Sequence, residues 1–177
     1  FRATRDGRPH DDEWVDARMA YDDRCLYLAA RVGDPAPMRS QIDPDIDPGQ
    51  GWSGGGVQVR LSTDRSLGWP ADANGPSYYR VRGIAPTAEE KRKAGNPRLA
   101  TLTMWYHAAT RRACLNIDHG LTFGAPLSSP AATQGCFQLG DDGRHYTLEY
   151  AIPWGLLNAS DDPPRSGDTL EIGRAHV

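Results

Sequence analysis

The sequence predicts an all-β domain: a two-sheet antiparallel β-sandwich of jelly-roll or immunoglobulin-like build, with one or two short helices. Three observations lead there. Apolar and polar residues alternate with period two in one run after another. Turn-forming residues punctuate these runs, drawn from 19 Gly and 14 Pro spread along 177 residues. Helical signals are confined to two short segments, so strands must supply the layers.

Taken in order, Cys25 to Val32 sets Leu26, Leu28, Ala30 and Val32 on one face and Tyr27 and Arg31 on the other. Val57, Val59 and Leu61 oppose Gln58 and Arg60, and Tyr78 to Arg82 reads as a short aromatic strand. Leu102, Met104 and Tyr106 oppose Thr101, Thr103 and Trp105; Ala113 to Ile117 follows a turn at Thr110-Arg111-Arg112. Tyr146, Leu148, Tyr150 and Ile152 oppose Thr147, Glu149 and Ala151, and a last strand begins at Thr169. Between them lie turn signals at Tyr21-Asp22-Asp23, Gly33-Asp34-Pro35, Asp72 to Pro76, Asp141-Asp142-Gly143 and Asp161 to Gly167. Pro35 to Gly56 has no period and reads as loop. Thr87-Ala88-Glu89-Glu90 is a capping box that opens a helix ending near Gly95, and Trp154 to Leu157 suits one turn after Pro153. No internal repeat is present, and a single domain is expected over residues 1–171. The last six residues, 172–177, are what a common sequencing-adapter read encodes. They are expected to be read-through, which would make the chain a fragment lacking its last strand or strands.

Composition narrows function. The 20 Lys plus Arg nearly balance the 23 Asp plus Glu, so no basic patch points to nucleic acid or to a membrane surface. No apolar run approaches the roughly 20 residues of a membrane helix. Cys25, Cys114 and Cys136 lack metal-like or redox-like spacing; one disulfide would leave a spare thiol, and the favoured reading is small buried apolar residues. There is no Gly-x-Ser-x-Gly elbow, phosphate loop, His-Glu-x-x-His or dinucleotide fingerprint, and most carboxylates sit at turn positions, so a non-catalytic chain is expected. The histidines are scattered. A haem held by Met38 or Met104 with His107 or His119 has no spacing in its favour.

Two constellations remain. Asp43, Asp45 and Asp47 alternate in the manner of a loop offering oxygens to structural calcium, although Gly54 stands where a bidentate Glu would close such a loop. A solvated acidic loop is the other reading. Trp52 and Trp69 lie in Gly- and Pro-rich loops, off any apolar strand face. An exposed indole packs on the C–H face of a sugar ring, and neighbouring planar polar groups fix the hydroxyls; alternatively, a loop Trp caps the sandwich edge. Trp14 and Trp154 read as core, and Trp105 as facing ligand or solvent.

Three blocks carry a family resemblance. Ala20-Tyr21-Asp22-Asp23-Arg24-Cys25-Leu26-Tyr27-Leu28 running on to Val32-Gly33-Asp34-Pro35, then Trp52-Ser53-Gly54-Gly55-Gly56-Val57-Gln58-Val59-Arg60-Leu61, then Tyr146 to Trp154 resemble, in order, blocks of the family 9 carbohydrate-binding modules. The resemblance implies a two-sheet β-sandwich related to the haem- and sugar-binding DOMON-type domains. It implies an oligo- or polysaccharide partner of the xylan or cellulose kind, sometimes structural calcium, and covalent linkage to a catalytic or surface domain. It also implies a secreted, periplasmic or cell-surface setting. Residue by residue, Trp52 matches the first of two ligand-sandwiching Trp, Gln58 stands at a ligand-binding carboxylate, and Arg80 matches a ligand-contacting Arg. Gly55 replaces an Asp before the strand, Pro86 to Pro97 looks inserted, and the second sandwiching Trp falls beyond Glu171. A sandwich that keeps the fold for protein interaction without the sugar site is the alternative.

Overall fold

The structure, a computed structural model, describes residues 2–5, 8–37, 40–65, 88, 95–120, 127–168 and 170–172. In chain order its strands are β1 (Arg2–Arg5), β2 (Arg8–Tyr21), β3 (Cys25–Gly33), β4 (Val57–Ser62), β5 (Leu99–His107), β6 (Arg112–His119), β7 (Leu127–Ser128), β8 (Gln134–Leu139), β9 (His145–Pro153) and β10 (Glu171–Ile172). Two antiparallel sheets result, ordered β1-β2-β3-β9-β8 and β10-β4-β5-β6-β7. The all-β, two-sheet reading is thereby met, and among the described residues no helix is long and apolar enough to cross a membrane.

The alternation read from the sequence is what closes the two sheets on each other. Leu26, Leu28, Ala30 and Val32 of β3 and Tyr146, Leu148, Tyr150 and Ile152 of β9 form one inner face. Val57, Val59 and Leu61 of β4, Leu102 and Met104 of β5, and Leu115 and Ile117 of β6 form the other. Each fully buried Leu or Ile contributes about 1.5–3 kcal/mol. Tyr150 brings a hydroxyl into this layer and donates it to the Cys114 carbonyl of the opposite sheet at 2.7 Å. That bond satisfies a group whose burial would otherwise be costly, and burial pushes the phenol well above its ordinary range. The 3-10 turn Trp154–Leu157 closes one end, with Trp154 buried and its Nε1 donating to the Asp22 carbonyl at 2.9 Å.

Several elements differ from the sequence reading. β2 and β8 carry no alternation because much of each is exposed on both faces. Val15 is the buried residue of β2, while Ala17, Met19 and Tyr21, on the core side by register with Ala30, Leu28 and Leu26, overhang the second sheet. In β8 only Phe137 packs on the core, stacked at 4.0 Å on Tyr106. Trp14 is half-buried rather than core, with the Arg31 guanidinium 5.6 Å from its ring centre. All three cysteines are free; Cys114 is buried as expected, but Cys136 is exposed because β8 has an open outer face. The strand at Tyr78 to Arg82 and the capping-box helix (apart from Ala88 and Gly95) lie outside the described residues. Ile172, counted with the read-through, pairs with Leu61; residues 173–177 lie outside the described residues.

The two sides of the sandwich predict contrasting substitutions. Leu102→Ala, at a fully buried site, is expected to cost about 2–5 kcal/mol. Met19→Ala, on the overhang, is expected to stay within about 0.5 kcal/mol. Urea unfolding midpoints at unchanged slope measure both, and similar losses would mean that the overhang is packed in solution.

Candidate functional site

The same alternation that sends Val57, Val59 and Leu61 inward turns Gln58 and Arg60 outward. On that outer face the register lines up Gln58, Thr103, Asn116 and Ser128 in one row and Arg60, Thr101 and Asp118 in the next. Although this face points away from the core, Thr103 and Asn116 are buried and Gln58, Arg60 and Asp118 half-buried. Gln58 Nε2 donates to Thr103 Oγ1 at 3.2 Å, and Asn116 Nδ2 donates to Asp118 Oδ2 at 2.9 Å. Asn116 Oδ1 is buried and accepts no hydrogen bond among the described residues. An unpaired buried acceptor costs about 1–3 kcal/mol. Burial raises the Asp118 carboxyl above its ordinary range, with the Asn116 hydrogen bond opposing the shift, and desolvation lowers Arg60.

The loop before β4 folds over one end of these rows. Trp105 follows the alternation onto the outer face, but it is fully buried rather than turned to ligand or solvent. Its Nε1 donates to the Ile42 carbonyl at 2.9 Å. Gly51 lies so close to its ring that an added Cβ would stand 2.5 Å from a ring carbon. Ser128 Oγ donates to the Pro44 carbonyl at 2.7 Å, pinning the same loop to β7. The 3-10 turn Pro48–Ser53, carrying Pro in its first positions, therefore sits on an aromatic base and holds up Trp52, which is 59% exposed.

Of the residues singled out in the sequence, Trp52 and Gln58 thus belong to one side of the sandwich. Trp69 and Arg80 lie outside the described residues, as does Met38. Asp43 Oδ1 accepts from the Asp45 backbone N–H at 2.9 Å, and Asp45 Oδ2 pairs with Arg112 Nη1 at 2.7 Å. Among the described residues no three His, Cys, Asp or Glu side chains are grouped to hold a metal ion. Met104 faces the core, whereas His107 stands on the opposite face of β5, with Nδ1 2.9 Å from Thr110 Oγ1. His119 Nε2 lies 2.8 Å from the Leu156 carbonyl. This Met and these His do not converge on a haem. Thr103, Asn116 and Asp118 were not among the sequence candidates. Their signal was the polar member of each alternating pair on β5 and β6, legible only once the register sets them beside Gln58.

Asp118 gives this face a pH signature. Its raised carboxyl makes the folded chain hold the proton more tightly than the unfolded chain. Below the ordinary carboxylate range both states are protonated and nothing is lost. As pH rises from the ordinary carboxylate range through the raised value, the folded chain takes on a desolvated charge and stability falls, levelling off once both states are ionised. Asp118→Asn is therefore expected to raise the urea midpoint at about pH 7, the gain fading towards about pH 3. An equal shift at both pH values would mean that the carboxylate charge is not what costs stability.

No family model matches the chain, and no curated protein matches it. Among solved structures it is similar to a carbohydrate-binding module family 9 domain from Caldicellulosiruptor kristjanssonii in complex with glucose, at 11% identity and a TM-score of 0.48. The likeness covers 92% of this chain and 58% of that one, so the chain spans less than two thirds of that structure's length.

Proposed function

We propose that this chain is a non-catalytic carbohydrate-binding β-sandwich, and that the outer face of the β4-β5-β6 sheet beside Trp52 receives the sugar. The observation that carries this reading is the pairing of an exposed, well-supported Trp52 with rows of planar and hydroxylic polar groups on the strands beneath its loop. An indole offers a sugar ring a flat apolar surface, and amides and carboxylates sort its hydroxyls by direction. Gln58 and Asn116 each present a planar amide, Arg60 a planar cation, and Asp118 an acceptor. The sequence resemblance to the family 9 modules adds Arg80, and its Gly- and Pro-rich loop setting adds Trp69, as further contacts.

Binding on such a face breaks no bond. Stacking supplies area, hydrogen bonds supply selectivity, and strand placement keeps the ordering cost small. In the longer protein the domain would hold a linked catalytic or surface domain against xylan- or cellulose-like polysaccharide, raising its effective concentration there. That role belongs to a secreted, periplasmic or cell-surface setting.

Calorimetric titration with xylo- and cello-oligosaccharides, with and without added calcium, tests the reading. Saturable binding is expected, with Trp52→Ala removing the part of it that belongs to this face while the circular dichroism of the sandwich is unchanged. Asn116→Ala is expected to weaken binding by about 1–3 kcal/mol. Full affinity in Trp52→Ala would sink the assignment of this face.

A further inference from the structure

The opposite sheet carries a second depression that the proposed sugar face does not use. It has a volume of about 670 Å³ and is lined chiefly by side chains on the outer face of β2, β3, β9 and β8. Ligand sites commonly span about 300–1,000 Å³, so its size is that of a site rather than a crevice between side chains. The register builds it from two rows. One runs Ala20, Tyr27, Ala151, Gln134 and the next Arg18, Ala29, Glu149, Cys136, each crossing four strands. Three interstrand steps make the trough ~14 Å long across the strands.

The chemistry of these rows is specific. Ala29 and Ala151, on the two central strands, leave a low floor where larger residues would fill the face. Tyr27 stands beside that floor 40% exposed, with its ring fixed by a hydrogen bond from its hydroxyl to Asp22 Oδ2 at 2.8 Å. Asp22 is itself held by the Arg24 and Cys25 backbone N–H groups, both at 2.8 Å. The platform is therefore rigid before any ligand arrives. Around it, Gln134 and Glu149 make no side-chain hydrogen bond or ion pair among the described residues, and Arg18 has only a 3.7 Å approach to Asp16 with both groups exposed. Such an exposed pair contributes little and exchanges readily for a ligand hydroxyl. Arg18 and Glu149 carry opposite charges on the same row, so the trough has no net charge to recruit an ionic ligand.

An open trough with one fixed aromatic ring, an alanine floor, unspent hydrogen-bonding groups and balanced charge suits a neutral polyol chain. We propose that the outer face of the β2-β3-β9-β8 sheet is a second binding site, taking a neutral oligosaccharide laid across the strands. It shares with the proposed function only the class of ligand; no residue is common to the two faces. The chain would then grip polysaccharide from both sides of the sandwich, gaining avidity on insoluble substrate that a single short sugar does not reveal.

Amide chemical-shift mapping on the whole chain, titrated with xylohexaose and with cellohexaose, separates the sites. Saturable shifts are expected at Ala29, Gln134 and Ala151, and they should persist in Trp52→Ala. Ala29→Phe, which fills the floor from an outward-facing position, should weaken them by about tenfold or more while leaving shifts at Trp52 and Gln58 intact. Tyr27→Ala gives a second variant should the bulkier one disturb the sheet. Shifts confined to Trp52 and its neighbours would overturn this second site and leave the proposed function standing. Shifts confined to Ala29 and Ala151 would support it and remove the Trp52 face. No shift with either sugar from a folded sample would overturn both.

Discussion

The pairing of β3 with β9 holds this domain together. Nine residues align without a bulge, from Cys25 opposite Pro153 to Gly33 opposite His145, joining segments more than a hundred residues apart in the chain. Every inward residue of that ladder is buried, which supplies half of the sandwich interior, and its end brings Trp154 under the Asp22 turn. Because side chains alternate with period two, fixing this register fixes both surfaces at once. The row Leu28 and Tyr150 faces the other sheet; the adjacent row Ala29 and Glu149 faces out. The core and the outer trough are two readings of one alignment.

The second sheet answers to a different constraint. Its inner face is apolar, as expected, but its outer face is also withdrawn from water, and there the residues are Thr103, Trp105, Asn116 and Asp118. Polar groups in that position must find partners or cost stability. Some do: Trp105 reaches the Ile42 carbonyl, and Asn116 reaches Asp118. Among the described residues Asn116 Oδ1 does not, and Asp118 carries a carboxyl that burial disfavours as an anion. A domain selected only for packing would gain from apolar residues at these places. Retaining polar ones is consistent with a face that trades stability for recognition, the usual pattern where local rules are broken.

Legibility in the sequence followed burial. β3, β4, β5, β6 and β9 each have one apolar inner face, so each wrote its period into the chain. The exposed half of β2 buries nothing after Val15, and β8 buries only Phe137; a strand with two wet faces needs no alternation, so neither left a pattern to read. Trp52 and Gln58 were legible because a loop Trp and an outward amide depart from what packing asks. Asn116 was not, since its meaning depends on standing beside Thr103, a neighbour supplied by register rather than by spacing. Trp105 showed the limit of alternation. The period gave its face correctly, but whether an outward face meets water depends on the loop above it, here Ile42 and Gly51.

What unites the two proposed binding faces is how little either would have to rearrange to receive a ligand. Trp52 is lifted by a turn that rests on a buried indole, with Gly51 in contact where any side chain would collide. Tyr27 is tied at its hydroxyl to a carboxylate that two backbone N–H groups already hold. In both cases the aromatic ring is positioned by groups beneath or beside it rather than by the ligand, so little rotamer entropy is left to lose. Strand register sets the backbone positions of the polar groups nearby, and hydrogen bonds to Thr103 and Asp118 further hold Gln58 and Asn116. The β2-β3-β9-β8 face is shallow and open and gains little from enclosure, so there preorganisation is the main lever on affinity. The supports under the rings therefore matter as much as the rings: loosening Gly51 against Trp105, or Asp22 against Tyr27, would weaken recognition without removing a single contact to the ligand.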